Sequence, residues 1–172
     1  PANAADLSIP TKSGTLGGDI EASDINGDGH IDLIMGDSAH KNPNKTSTGS
    51  IQLFEGIPGV YPDLIPTSAG FGEIPSGGFG IGVTVLGDQD GDGLAEIVVM
   101  GNLTPTSSGD LGQPFVVNGK DIVTPPENAA IPSVPLEFPI KTATSQVGGR
   151  GSAGLLGDIN GDGMDDLAIG IP

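Results

Sequence analysis

The chain has 172 residues, 22 of them acidic and 6 basic, a formal charge of −16 and no Cys. Such a charge repels phosphate, so no nucleic-acid partner is expected, no apolar run nears the ~20 residues of a membrane span, and no disulfide framework supports a thin core. With 30 Gly, 15 Pro, five Phe and one Tyr, and no stretch longer than eight residues free of both Gly and Pro, helices of ordinary length are excluded and the expected class is all-β.

In chain order, residues 1–13 read as an N-terminal strand or linker. The chain starts at Pro1, which marks a processed mature protein or an excised piece. A first unit, 14–77, carries the acidic loop Asp24-Ile-Asn-Gly-Asp-Gly-His-Ile-Asp32, the apolar run Leu33-Ile-Met-Gly36, and a Gly-bounded strand over Gly49–Gly56. A second, 78–147, has a strand of alternating β-branched residues, Ile81-Gly-Val-Thr-Val-Leu86. The loop Asp88-Gln-Asp-Gly-Asp-Gly-Leu-Ala-Glu96, the run Ile97-Val-Val-Met-Gly101 and a strand over Gly112–Gly119 follow it. The extra residue in this second apolar run predicts a bulge. The third unit, 148–172, is partial and holds Asp158-Ile-Asn-Gly-Asp-Gly-Met-Asp-Asp166 and Leu167-Ala-Ile-Gly170. Each unit thus reads as strand, acidic loop, strand, variable connection, strand and a Pro-rich return with room for a fourth. The first acids of the loops lie 64 and 70 residues apart. A small antiparallel sheet repeated at such a period points to a propeller or solenoid.

Positions 1, 3, 5 and 9 of the loops carry side-chain oxygens: Asp24, Asn26, Asp28 and Asp32; Asp88, Asp90, Asp92 and Glu96; Asp158, Asn160, Asp162 and Asp166. Alternate short acids around a tight turn converge on one point, and Gly at position 6 (Gly29, Gly93, Gly163) permits the φ > 0 that such a turn needs. Position 7 is His30, Leu94 or Met164, three unrelated side chains, which fits a ligand supplied by the backbone carbonyl. Hard oxygen donors without Cys or paired His point away from zinc and copper, and a cage of six or seven protein oxygens suits calcium better than magnesium. Carboxylates about 4 Å apart repel by roughly 4 kcal/mol per pair at an effective dielectric near 20, so the empty loop is poor and the cation cage good. A single Asp-Gly turn is commonly just solvated; three matched copies argue for about three Ca²⁺ ions, one per loop. An EF-hand places a bidentate acid at position 12 and continues as a helix. Here position 12 is Met35, Val99 or Ile169 within apolar runs, and the position-9 acid leads straight into a strand. Metal binding then becomes part of the folding free energy.

With these loops, Phe79-Gly80 ahead of the second one, Gly170-Ile-Pro172 after the third and Gly49-Ser-Ile-Gln-Leu-Phe54 in the later strand, the chain resembles the FG-GAP repeats of the integrin α-subunit β-propeller. The resemblance spans roughly residues 14–172. It implies antiparallel β-propeller-type blades, one of four strands per repeat, each with calcium bracing a hairpin loop. Propellers use about four to eight blades, so two and a half imply an incomplete propeller or part of a larger assembly, in which further blades, neighbouring chains, a homo-oligomer or a filament cover the open edges.

Other features carry less. Gly149-Arg-Gly-Ser-Ala-Gly154 matches G-x-G-x-x-G, yet a dinucleotide site needs a helix there and a calcium loop begins four residues later. His30 and His40 read as loop or surface residues, and no nucleophile motif appears. Asn44-Lys-Thr46 and Asn102-Leu-Thr104 are glycosylation acceptors expected in surface connections. The function expected is an extracellular or cell-surface calcium-binding structural or adhesion module, not an enzyme, that contacts protein or glycan partners. The alternative is a lectin-like carbohydrate-binding propeller in a larger secreted protein, disfavoured by the lack of Trp and the single Tyr.

Overall fold

A computed structural model describes residues 15–58, 66–102, 112–136 and 153–170; the segment 1–13 and most of Gly149–Gly154 lie outside them. Strands β1 (Leu16–Ser23), β2 (Asp32–Asp37), β3 (Ser50–Phe54) and β4 (Ser68–Phe71) form one antiparallel sheet in chain order. A second sheet repeats the arrangement with β5 (Gly82–Gly87), β6 (Glu96–Asn102), β7 (Gly112–Val117) and β8 (Val134–Pro135), and β9 (Ala153–Gly157) pairs with β10 (Asp166–Ile169) as a hairpin. The protein is all-β, built of propeller-type blades. In each unit the acidic loop is the hairpin between the first two strands, and its position-9 acid opens the second strand (Asp32, Glu96, Asp166).

The sequence-based bulge is not where the extra residue stands. β6 pairs with β7 without interruption from Ile97 opposite Val117 to Asn102 opposite Gly112, so the additional residue lengthens the strand. Register shifts fall instead beside the loops, between Val85 and Gly87 and between Asp166 and Leu167, and also within β1 between Leu16 and Ile20. Asn102 accordingly ends a strand and is not in a connection, while Asn44 lies in a turn. One short helix, α1 (Gly119–Val123), fits between Gly119 and Pro125. Asn118 caps it by accepting a bond from the Lys120 N–H, which satisfies a donor that a helix start leaves open.

The core lies between the first two blades. Alternation puts Val83, Val85, Ile97, Val99, Phe115 and Val117 on one face of the second sheet, where they meet Ile34, Ile51 and Leu53 of the first in a single buried cluster. Val98 and Met100, on the other face of β6, are buried as well, so this strand reads as one apolar run. The inner strands of successive units are neighbours. Asp19 Oδ2 accepts from the Val83 N–H at 2.9 Å, and Thr84 Oγ1 donates to the Ala153 carbonyl at 3.4 Å. At the outer rim, Ser68 Oγ of β4 donates to the Ile122 carbonyl of α1 at 2.6 Å.

Phe79-Gly80 forms the joint between these two blades. Phe79 is buried and its N–H donates to the Thr48 carbonyl, while the Gly80 N–H, at φ +86, donates to the Met100 carbonyl. Gly36 packs directly beneath: a Cβ there would stand 1.9 Å from the Gly80 oxygen. Glycine is required at both positions by close backbone approach.

Candidate metal centre

Each acidic loop is shaped by its own side chains. Position 1 accepts on both oxygens: Asp24 from the N–H groups of Asp28 (3.1 Å) and Gly29 (2.9 Å), Asp88 from Asp92 (3.1 Å) and Gly93 (2.9 Å), and Asp158 from Asp162 (3.0 Å) and Gly163 (2.9 Å). Asp88 and Asp158 also accept from Gly91 and Gly161. Positions 3 and 5 each accept from the N–H two residues on. Asn26, Asp90 and Asn160 hold Asp28, Asp92 and Asp162, and those three hold His30, Leu94 and Met164. Two consecutive turns closed by Asx side chains result. The position-6 glycines take φ of +85, +89 and +90, as the pattern required. Position 4 adds a second left-handed residue in every copy, with Gly27, Gly91 and Gly161 at +73, +81 and +79.

Position 9 does more than face the loop. Asp32 is fully buried; one oxygen accepts from the Ile25 N–H at 2.9 Å and the other from the Gly56 N–H beyond β3 at 2.8 Å. Glu96 repeats this with Gln89 at 2.7 Å and Gly119 at 3.3 Å. In the third loop Asp166 accepts from Ile159 at 2.9 Å and from the Asn160 amide at 3.2 Å. The acid therefore ties the start of the loop to its end and, in the first two units, to the exit of the third strand.

Backbone donors also set the charge of the exposed acids. The His30 N–H, helped by the His30 ring and the Asn26 amide against some desolvation, holds the Asp28 carboxyl below the usual carboxylate range. The Gly163 N–H, with those of its neighbours, does the same for Asp158. These bonds favour the charged form of both carboxyls.

The middle loop is the most closely gathered. Asp88, Asp90 and Glu96 each bring an oxygen within 4.8 Å of one another. Calcium takes oxygens at about 2.3–2.6 Å, so opposing ligands of one ion lie about 4.6–5.2 Å apart, and these three fit around a single ion. The first and third loops carry Asn26 and Asn160 where the middle one has Asp90. Carboxylates have about four lone-pair sites, so the backbone bonds leave acceptor capacity for a cation, and the donor set fits calcium.

Three contributors were not read from the sequence. Asn118 Nδ2 donates to Asp90 Oδ2 at 3.0 Å, linking the cap of α1 to the loop. Gly56 and Gly119 hold the position-9 acids. Their regular place at the end of a Gly-bounded strand was the available signal for the two glycines; a contact 28 residues away left none for Asn118. The histidines stay in loops: His30 bonds Asp28 at 3.0 Å, and His40 bonds buried Asp37 at 3.3 Å with its ring 5.3 Å from that of Phe71. Among the described residues no helix is long and apolar enough to cross a membrane.

Residues 150–172 match the FG-GAP repeat family. Over its whole length the chain is 30% identical to the phosphatidylinositol-glycan-specific phospholipase D of Rattus norvegicus and 29% identical to those of Mus musculus and Bos taurus. It spans 20% of the length of each of these relatives.

Proposed function

Since residues 150–172 are an FG-GAP repeat and the two units before them carry the same loop, we propose that the chain is a calcium-binding structural module. It works outside the cell, where calcium is plentiful enough for the modest affinity of extracellular sites. The observation that carries this reading is the gathering of Asp88, Asp90 and Glu96 within 4.8 Å, in a loop whose backbone turns recur in all three copies. In each copy, positions 1, 3, 5 and 9 and the position-7 carbonyl hold one Ca²⁺. The ion cross-links the first hairpin of its blade and takes over stability that a chain with only five Phe and no Trp supplies thinly.

The module supports chemistry without performing it. We place the phospholipase D activity named for the relatives outside the fifth of their length that this chain spans, because the acids here are engaged in shaping loops. The exposed edges and loops serve contact with protein or glycan partners. The third blade's open face is covered by a further blade of the same type: Ile159 is 70% exposed, whereas Ile25, at the same loop position in the first unit, is 0% exposed beneath the second blade. A native mass measurement tests that covering. A larger assembly supports it, and a lone chain with Ile159 freely accessible removes it.

The test of the calcium reading is a thermal melt with and without EGTA. Occupied sites stabilise the state that binds them, so chelation is expected to lower the Tm and raise protease sensitivity, and added Ca²⁺ to restore both. An unchanged melt rejects calcium as a structural element.

A further inference from the structure

The first two loops touch each other. The Ile25 carbonyl, between Asp24 and Asn26, accepts from the Ala95 N–H at 2.9 Å, and Ala95 directly precedes Glu96. Ile25 itself is buried in the core shared by the two blades. Two residues on, Gly27 lies so close to the second loop that a Cβ would stand 2.2 Å from the Gly93 carbonyl oxygen, one residue before Leu94. Ligand-bearing stretches of both loops are therefore in backbone contact.

No such contact among the described residues joins the second loop to the third. A Cβ at Gly91 or Gly161, the counterparts of Gly27, would meet nothing within 4 Å. The first and second loops also differ at position 2: Ile25 is apolar and buried in the core shared by the first two blades, whereas Gln89 turns its amide back to the Leu86 carbonyl at 2.6 Å.

We infer that the first and second loops take up calcium cooperatively while the third fills independently. This rests on the calcium reading above and adds a regulation to it. An ion in the first loop fixes Asp24 and Asn26, and with them the Ile25 carbonyl and Gly27. Those restrain Ala95 and Gly93, so less disorder remains for a second ion to remove. The effect is reciprocal by linkage.

The amides of Gly29, Gly93 and Gly163 each donate to the first Asp of their own loop at 2.9 Å, giving one NMR reporter per site during a calcium titration of the 172-residue chain. In the unmodified protein the Gly29 and Gly93 midpoints should coincide on a steep curve, with Gly163 separate. Gly27→Ala should weaken both the first and second sites, the second by at least about 5-fold, the low end of typical couplings. Gly161→Ala has the same loop position and a matching φ of +79 against +73 but no neighbour; it should weaken the third site alone. Should Gly27→Ala fail to fold, Asp28→Ala removes a ligand with an exposed side chain and should move the Gly93 midpoint in the same direction. If all three amides respond to calcium but neither variant of the first loop moves the Gly93 midpoint, the coupling is wrong and the calcium reading stands. If no amide responds, both are wrong.

Discussion

Between the first and second blades contact runs from the inner strand to the rim: Asp19 with Val83, one buried cluster from Ile34 and Leu53 to Val99 and Phe115, Gly36 under Gly80, Ser68 on Ile122. Between the second and third, the inner strands meet through Thr84 and Ala153, while Leu155 of β9 stays exposed. The loop pattern is the same in both cases, while the third unit is described only as the hairpin β9–β10. Among the described residues the second unit presents four strands and the third only two, so the loop pattern alone does not set how closely neighbouring units pack.

The largest test of this contrast is a pair of truncations. Ile97→Ala, in the sealed junction, should cost about 2–5 kcal/mol in urea unfolding, whereas Leu155→Ala, at a residue 41% exposed, should cost under about 1 kcal/mol, as partly exposed positions do. Equal losses would mean that the second junction is as much a core as the first. The glycines sharpen the point. Gly36→Ala drives a Cβ to 1.9 Å from a backbone oxygen that cannot swing aside, and should cost at least about 1–3 kcal/mol. Gly154→Ala meets nothing within 4 Å and should be neutral, or gain up to about 1 kcal/mol from a stiffer unfolded chain. A costly Gly154→Ala would show the open face to be covered in solution.

Strands and loops were legible because both follow short-range rules. Frequent Gly and Pro keep every segment short, and the nine-residue acid pattern is complete within itself, down to the left-handed Gly29, Gly93 and Gly163. Features that depend on a distant partner were not legible. Asn118 meets Asp90 because the pairing of β6 with β7, Ile97 opposite Val117, brings the end of β7 beside the second loop. The five residues of α1 are too few for periodicity to register, although Asn118 before them and Pro125 after them are residues suited to a helix start and stop. Ile25 left an unused signal: it is an apolar residue set between two oxygen-bearing loop positions, and it is buried in the core shared with the next blade. Phe79-Gly80 read as a family mark in sequence; its work as the joint over Gly36 emerged only with both blades in view.

The sealed junction also holds a charge that it disfavours. Three residues before the loops stand Glu21, Val85 and Leu155, an acid in the first copy where the others are apolar. Burial on β1, with the Asp19 carboxylate adding to it, pushes the Glu21 carboxyl up. A raised carboxyl releases its proton in the unfolded chain before it does in the folded one. Stability therefore falls as pH rises through that window, and a constant cost remains above it. Glu21→Gln removes the titration. Its Tm should match that of the parent protein near pH 3.5, below the ordinary Glu range of about 4.3, and exceed it slightly at about pH 7, the smallest effect predicted here. A difference that ignores pH, or one favouring the parent protein at neutral pH, would show that Glu21 is well solvated and that the inner edge of the first junction is wetter than its contacts imply.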